Sequence, residues 1–477
     1  MAFLRRGHRE ICGSRSAKTL PISPLTPLPK GKLRGDFLHR PLRIAFIGNA
    51  LPRRCGIATF TTDLELAVTS SAKIAETAII AMCDPGSDYA FPPSVRACID
   101  QEDAGQYLAA ADLINQEGFD VVSLQHEFGI FGGDAGNLIV DLITALKIPV
   151  VTTLHTILDQ PSESQRAVMM AILASSARVV VMARKGREIL IDTYGADPDK
   201  IVVVPHGIPD VPFVTSEASK ERLGYSGRKV ILTFGLISPN KGIETMIEAL
   251  PSIIDQSPDA VYVVLGATHP HLIRNAGEAY RHGLIERVRA LGLDDHVVFL
   301  DQFVDRPALL EYIIMCDVYV TPYLVASQMT SGTLAYSHGL GRPVVSTPFW
   351  HAAELLADKS GVLVPFGDPV SLGDAVAGLL SDEPARLAMA KKAYAASRPT
   401  TWANTATRYV ECFRAVSRKG SLRVIGGRNM SASPLSAPVT LPAMSTKHFV
   451  KVQRRVVAEI PLRNGLQSLP QAAIVDE

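Results

Sequence analysis

Several features are scarce in this sequence of 477 residues, and each scarcity excludes a class of protein. Acidic and basic residues nearly balance, 47 against 48, so nucleic acid is not expected as a partner of the whole chain. Aromatic residues make up only 6%, which is low for a protein built on base stacking. No run of about 18 uncharged apolar residues occurs, so no membrane-spanning helix is predicted. The hydrophobic fraction of 47% predicts instead a sizeable buried core.

Cysteine is also scarce, with six residues at positions 12, 55, 83, 98, 316 and 412. No close pair has the spacing of a metal-binding motif, and so few cysteines in a chain of this length do not make a disulfide framework. The sequence therefore predicts reduced thiols in a cytosol-like compartment.

Positive charge is concentrated at the two ends of the chain. Residues 1–41 carry a net charge of +7 and residues 418–477 a net charge of +6, which leaves −12 for the body between them. The first segment lacks the apolar region and cleavage site of a secretory signal. We expect a disordered basic leader over 1–41, a disordered tail over 418–477 and a cytoplasmic protein. Solvated basic tails and weak peripheral contact with the anionic inner membrane surface both stay open.

The body of the chain repeats one order of elements twice. Apolar strands alternate with amphipathic helices over 42–214, and the alternation starts again over 229–396 after a polar linker at 215–228. A further amphipathic helix falls within 397–417. This order predicts an α/β fold of two Rossmann-like doubly wound domains facing a cleft. We expect a ligand in that cleft, at the carboxyl ends of the strands.

The strongest candidate site lies in the second half. Ser331, Gly332 and Thr333 stand where a helix should begin after a strand, and free backbone N–H groups at such a place bind anions. Lys241, at the start of another helix, adds a positive charge suited to a diphosphate. The alternative is that Ser331 and Thr333 only cap the helix and that Lys241 is solvated.

The first half offers weaker candidates. Gly56, in the loop after the first strand, lets backbone approach a phosphate or sugar closely. His126 and Glu127 follow a strand, and an imidazole there can hydrogen-bond a sugar hydroxyl or move a proton. His155 is a second cleft candidate, whereas His206 is expected at the hinge. The alternative for His126 and His155 is a structural role.

These motifs together resemble a known family. The chain is similar over about Leu42–Phe413 to the retaining GT-B glycosyltransferases of family four, the group 1 glycosyl transferases. The matching passages are PRRCGIATFT (52–61), VVSLQHEFGIFGG (121–133), VVTTLHT (150–156), VVVPHGI (202–208), LTFGLISPNKG (232–242) and SGTLAYSHGLGRPVVST (331–347).

The resemblance implies a nucleotide-diphosphate-sugar donor bound mainly by the second domain and an acceptor bound mainly by the first. The last helix would cross back onto the first domain. Gly56 matches the position that faces the donor phosphate, His126 the position of a histidine near the reacting sugar, and Lys241 the position of a diphosphate-binding lysine. The resemblance also implies a role in polysaccharide biosynthesis.

Three positions depart from the family pattern. Leu236 stands where an arginine is usual, and Gln328 and Tyr336 replace two glutamates. Gln328 could still hold sugar hydroxyls, and Tyr336 could accept ribose hydroxyls with one oxygen. Losing one charged hydrogen bond costs about 1.5–3 kcal/mol, so reduced activity is one consequence to test.

The resemblance and the residues lead to one functional hypothesis. The protein transfers a hexosyl group, mannose or glucose, from a nucleotide sugar to a carbohydrate or lipid-linked acceptor with retention of configuration. We expect no cofactor besides the substrate, and no essential metal, since the one Asp-x-Asp motif, Asp197–Asp199, lies in a connector. Two alternatives are a catalytically weak nucleotide-sugar binding protein and a GT-B-like sugar-nucleotide epimerase.

Overall fold

Strands and helices alternate along residues 40–424, the part of the chain that the computed structural model describes, with side chains to Ser417. The strands are β1 (Leu42–Gly48), β2 (Ile74–Cys83), β3 (Val95–Asp100), β4 (Val121–His126), β5 (Val150–Leu154), β6 (Ser176–Val181), β7 (Ile201–Val203), β8 (Lys229–Phe234), β9 (Ala260–Leu265), β10 (Val297–Leu300), β11 (Val318–Thr321), β12 (Val344–Ser346) and β13 (Val362–Leu363).

Helices fill most of the connections between these strands. They are α1 (Gly56–Thr69), α2 (Ala104–Glu117), α3 (Leu138–Ala145), α4 (Glu163–Ser175), α5 (Arg184–Tyr194), α6 (Glu217–Leu223), α7 (Ile243–Gln256), α8 (Pro270–Ala276), α9 (Ala279–Ala290), α10 (Arg306–Met315), α11 (Gly332–Gly339), α12 (Trp350–Leu355), α13 (Pro369–Ser381), α14 (Glu383–Ser397) and α15 (Trp402–Val424).

The strands form two parallel sheets, as the alternation predicts. The first has seven strands in the order β3-β2-β1-β4-β5-β6-β7, and the second has six in the order β10-β9-β8-β11-β12-β13. The strand order reverses between β1 and β4 in the first sheet and between β8 and β11 in the second. Loops diverge at such a reversal and leave a crevice at the carboxyl ends of the strands.

The central strands are buried on both faces, which explains their continuous apolar sequences. Every residue of β4, β5 and β9 is buried, and β1 has one partly exposed residue, Arg43. Parallel strands covered by helices on both sides need this composition. Burial on both faces therefore holds the strand ends, and the residues that follow them, in fixed positions.

The last helix packs back onto the first sheet. Tyr409 and Phe413 of α15 are fully buried, and the ring of Phe413 meets Phe46 of β1 edge-on at 6.3 Å. The hydroxyls of Tyr409 and Thr153 on β5 lie 2.9 Å apart. Burial of one apolar side chain of this size is worth about 1.5–3 kcal/mol. The last described helix, α15, therefore packs on the first domain, as the family resemblance implies.

Some elements were not anticipated from the sequence. The 215–228 linker contains α6, whose sequence is polar. Ion pairs attach this helix to the second domain: Lys220 lies 2.7 Å from Asp317, and Arg222 lies 2.7 Å from Glu311. The helix α15 continues to Val424, past the predicted end at residue 417. The leader over 1–39 and the tail over 425–477 lie outside the described residues.

One cysteine prediction is wrong. Cys83 on β2 and Cys98 on β3 are bonded to each other across neighbouring strands, with Cα atoms 6.1 Å apart. Strand pairing brings the two residues together although they are 15 apart in sequence, and no motif marks that pairing. Cys55, Cys316 and Cys412 are free. The cysteines therefore no longer support the prediction of a cytosol-like compartment.

None of the described helices within residues 40–424 combines the length and the apolar character that a bilayer span requires.

Candidate functional site

A cavity of about 330 Å³ opens between the carboxyl ends of the two sheets. Its lining comes from the start of α1, the segment after β7 and the loops that follow β8, β9, β10 and β11. All of the predicted donor-binding residues line it: Gly56, Lys241, Gln328, Ser331, Gly332, Thr333 and Tyr336. The structure therefore brings together, in one place, residues that are up to 280 positions apart in sequence.

The N-terminus of α11 forms one wall of the cavity. Ser331 caps the helix, because its Oγ accepts from Leu334 N at 3.3 Å. The capping role that the sequence offered as the alternative for Ser331 is therefore confirmed. The Ser331 N–H is also used, since it donates to His351 Nδ1 at 2.9 Å. The N–H groups of Gly332 and Thr333 have no partner within the helix. These two amides, with the positive end of the helix dipole, are the groups available to an anion.

Lys241 reaches the cavity from a tight turn before α7. The next residue, Gly242, has φ +64°, in the left-handed region that favours glycine. A Cβ at Gly242 would lie 2.0 Å from the carbonyl oxygen of Pro322. The close approach holds the Lys241 turn against the segment that follows β11.

We expect Gly242→Ala to destabilise the protein by at least about 3 kcal/mol, because it adds a backbone clash to the strain of a left-handed alanine. The matched control is Gly224→Ala, at φ +81° with nothing within 4 Å of the added Cβ. That change should cost only about 1–2 kcal/mol. Chemical denaturation of both variants checks the difference, and equal losses would refute the close approach.

The electrostatics of the cavity favour an anion. Among the lining residues of the described chain, Lys241 carries a full charge and none is Asp or Glu. Burial lowers the pKa of His206 to about 4, against a smaller opposing effect of its hydrogen bond to the Gly207 carbonyl. Burial and then the neighbouring cationic groups also lower the pKa of His269. Both histidines are therefore neutral near pH 7, and the net lining charge is positive.

Tyr336 lines the cavity, but its hydroxyl is engaged elsewhere. It donates to Asp63 Oδ2 at 2.5 Å and accepts from Trp402 Nε1 at 3.2 Å. Asp63, on α1, is 2% exposed and forms an ion pair with Arg306 of α10. The network joins the first sheet's helix to two helices of the second half. This arrangement gives Tyr336 a structural role beside the predicted contact with ribose.

We expect Tyr336→Phe to cost about 1–3 kcal/mol of stability, since the buried Asp63 carboxylate loses a donor. Tyr89→Phe is a matched control, because Tyr89 also donates to an aspartate at 2.5 Å, but that aspartate, Asp84, is 30% exposed. Water can replace the lost donor there, so thermal unfolding should change little. Equal changes in the two variants would contradict the buried network.

The structure does not place His126 on the cavity. Its side chain is fully buried between Phe128 and Phe131, and neither ring nitrogen has a partner in the described chain. Burial lowers the pKa of His126 to about 3. The predicted catalytic role stays a prediction, without a contact to support it, and the packing favours the structural alternative.

Glu127 and His155 also lie off the cavity lining. His155 Nε2 is 3.1 Å from Gln125 Oε1, and its ring meets Phe60 edge-on at 4.7 Å. Glu127 accepts from the Thr156 hydroxyl, and burial raises the pKa of its carboxyl group against the effect of that bond. Both side chains sit at the carboxyl edge of the first sheet, and their contact with a sugar or acceptor remains a prediction.

The sequence predicts His206 at the hinge rather than in the site, and it does not single out Tyr323. His206 lines the cavity, with its Nε2 only 3.0 Å from the position of a Cβ on Gly332. Tyr323 also lines it, after β11. The signal for both was the rule used for His126, namely a polar residue just beyond a strand's carboxyl end. Distance along the chain concealed that both follow strands that border the cleft.

In residues 40–424 no three His, Cys, Asp or Glu side chains are grouped so as to hold a metal ion. The expectation of no essential metal stays a prediction, as does that of no cofactor.

Two family models match the chain. The model described as Glycosyl transferases group 1 matches residues 228–382, and the one described as Glycosyltransferase Family 4 matches residues 81–210. The matches fall on the second and the first sheet respectively and together span more than half of the sequence.

Curated relatives carry names of the same class. The D-inositol 3-phosphate glycosyltransferase of Corynebacterium efficiens is 29% identical over 306 residues, which cover 60% of this chain and 69% of that protein. The protein of that name from Corynebacterium glutamicum is 28% identical over 305 residues, which cover 59% of this chain and 70% of its own.

Solved structures share the fold at low sequence identity. The crystal structure of Anabaena HepE in complex with UDP and glucose covers 78% of this chain and 100% of its own, with a TM-score of 0.64 and 17% identity. Sucrose-phosphate synthase from Thermosynechococcus elongatus covers 79% of this chain and 100% of its own, also with a TM-score of 0.64 and 17% identity. The two parallel sheets facing a cleft have the GT-B fold of these structures. Because the two family models together match more than half of the sequence, the chain belongs to the family four glycosyltransferases of the group 1 type.

Proposed function

We propose that the protein transfers a hexosyl group from a nucleotide-diphosphate sugar to an acceptor hydroxyl, with retention of the anomeric configuration. One observation carries the proposal. The cavity combines the Lys241 ammonium, the N-termini of α1 and α11 and a lining that, in the described chain, has no carboxylate. A diphosphate matches such a surface, because amides at helix N-termini and an ammonium group both favour negative charge.

The same groups can assist the chemical step. The bond between the sugar's anomeric carbon and the diphosphate oxygen breaks, and its electron pair stays on the diphosphate. Lys241 and the free amides of Gly332 and Thr333 stabilise the charge that develops there. The acceptor hydroxyl bonds to the anomeric carbon on the same face, and its proton passes to the leaving diphosphate. No separate protein base is needed, which agrees with the absence of acidic groups from the described lining.

UDP-glucose is the first donor to test. The fold is shared with HepE, which was solved in complex with UDP and glucose. Mannose stays the second candidate, and a carbohydrate or lipid-linked compound stays the proposed acceptor class. The relatives are named for transfer to D-inositol 3-phosphate, so that compound belongs in the acceptor panel.

A second candidate function has an observation in its favour. The Tyr336 hydroxyl serves Asp63 and Trp402, and the Gln328 Nε2 donates to Thr330 O at 2.7 Å. Tyr336 and Gln328, which were expected to bind the donor, thus form these hydrogen bonds within the protein instead. A nucleotide-sugar binding protein with weak turnover would tolerate this loss.

Incubation with labelled UDP-glucose, GDP-mannose and UDP-N-acetylglucosamine, with and without acceptors, tests the proposal. Nucleoside diphosphate release coupled to a labelled, retained glycoside is the expected result. Tight binding without turnover would favour the second candidate. An altered sugar on an intact nucleotide would contradict transfer and indicate an epimerase.

A further inference from the structure

Tyr323 occupies a central place in the cavity that no predicted role explains. It comes two residues after β11, lines the cavity and is 3% exposed. Its ring stacks on Phe349, with centroids 4.9 Å apart and planes at 18°. A buried ring stacked in this way has one fixed orientation, so whatever touches it is held in a defined place.

The ring of Tyr323 contacts the cavity's lysine. The Lys241 Nζ lies 4.0 Å from the ring centroid. An ammonium over an aromatic face is attracted by the negative potential of that face. A lysine side chain is otherwise among the most mobile, and fixing it on binding an anion costs conformational entropy. The ring thus holds the ammonium in place before any ligand arrives.

The hydroxyl of Tyr323 extends to the other half of the anion site. It lies 3.1 Å from Thr333 Oγ1 and 3.5 Å from Ser331 Oγ, and those two oxygens are 3.0 Å apart. One side chain therefore joins the lysine to the first turn of α11. Burial alone would raise the pKa of Tyr323, yet the pKa is lowered because the Lys241 ammonium and the two hydroxyls outweigh it.

The need for such a residue follows from the composition of the lining. Where the family resemblance expects an arginine, the cavity has Leu236. Lys241 is then the only side chain of the described lining that carries a full charge. A single flexible cation binds a diphosphate well only if its position is fixed in advance.

We propose that Tyr323 is a positioning residue, whose ring fixes the Lys241 ammonium and whose hydroxyl ties it to the α11 N-terminus, so that both act as one diphosphate-binding unit. The proposal rests on the proposed function, since it assigns a role within the same site. It predicts that Tyr323 acts through Lys241 and only on ligands that carry a diphosphate.

The test varies the ring face without changing its size. In the full chain, Tyr323→Phe keeps the ring face but removes the hydroxyl that contacts Thr333 and Ser331, so it should weaken the affinity for UDP by roughly 2- to 10-fold, the loss of one neutral hydrogen bond. Replacement of Tyr323 by trifluorophenylalanine withdraws electron density from the face. Calorimetry with UDP should then show affinity weaker than in the Phe variant by roughly 2- to 10-fold, the cost of fixing one mobile lysine. The control makes the same two substitutions, to phenylalanine and to trifluorophenylalanine, at Tyr312, which lies on α10 and does not line the cavity. UDP affinity should be equal in those two control proteins.

A second comparison asks whether the effect runs through the lysine. In Lys241→Ala, fluorination at 323 should cause no further loss of UDP affinity. Additive losses, or equal affinity in the Phe and trifluorophenylalanine proteins, would overturn the proposal. Unchanged unfolding temperatures without UDP should accompany the expected loss, and a general fall in stability would instead indicate a packing role.

Failure of the proposed function would be visible in the wild type. If the wild-type chain binds neither UDP nor GDP, both that function and this inference fall. If the wild type binds and Lys241→Ala weakens binding while fluorination does not, only the role of Tyr323 falls.

Discussion

Lys241→Ala should weaken the affinity for a nucleoside diphosphate by about 10- to 150-fold, the size of a charged hydrogen bond of about 1.5–3 kcal/mol. The loss is large because no other side chain in the described lining carries a full positive charge. The leaving diphosphate gains charge as the sugar is transferred, so kcat/KM should fall by at least as much. Calorimetry and initial rates measure the two effects separately.

Lys185→Ala is the matched control for that prediction. Lys185 is a partly exposed lysine of α5 whose Nζ pairs with Glu188 at 3.3 Å, away from the cavity. Its removal should leave nucleotide affinity within the error of the measurement. Equal affinity in wild type and Lys241→Ala would remove the lysine from the anion site.

The protein should lose stability steeply between pH 7 and pH 5. Burial lowers the pKa of His126, His155 and His351 to about 3 and that of His206 and His338 to about 4. In the unfolded chain these groups titrate near pH 6.5, so the unfolded state takes up their protons first as the pH falls. Their stabilising contribution is complete above about pH 6.5 and is lost as the pH approaches 3–4.

At pH 5 each such histidine costs about 2 kcal/mol relative to neutral pH, and the five together are comparable with the whole stability of a domain. Glu127 acts in the opposite direction, because burial raises its pKa, but it is a single group. Denaturant midpoints measured at pH 7, 6 and 5 should fall at each step. A midpoint that is constant over this range would contradict the burial of uncharged histidines.

His126→Leu isolates one of these histidines. Because its two ring nitrogens have no partner in the described chain, the variant should be more stable than wild type at pH 5 by about 2 kcal/mol. His282→Leu is the control for replacing a histidine by leucine at an exposed position. If His126 is catalytic, as the sequence predicts, His126→Leu also abolishes transfer, and retained transfer would end that prediction.

The sequence was sufficient for the fold class and the family. Apolar strands followed by amphipathic helices recur at regular intervals, and burial of β4, β5 and β9 on both faces enforces that pattern. The predicted donor-binding residues all reach one cavity because they follow strands whose carboxyl ends meet at the cleft. Their roles in binding stay predictions.

The rest depended on contacts between distant segments, which local patterns do not encode. The Tyr336 hydroxyl is taken by Asp63, 273 residues away, and the Cys83–Cys98 bond depends on strand pairing. His126 follows a strand as a cleft residue should, but the neighbouring phenylalanines cover it. Tyr323 was missed because its importance comes from Lys241, which approaches from another loop.

A crystal structure of the protein with bound UDP tests the central claim most directly. The account predicts the diphosphate in the cavity, with oxygens within about 3 Å of Lys241 Nζ and of the Gly332 and Thr333 amides. A nucleotide bound away from these groups, or a diphosphate that leaves Lys241 uncontacted, would contradict it.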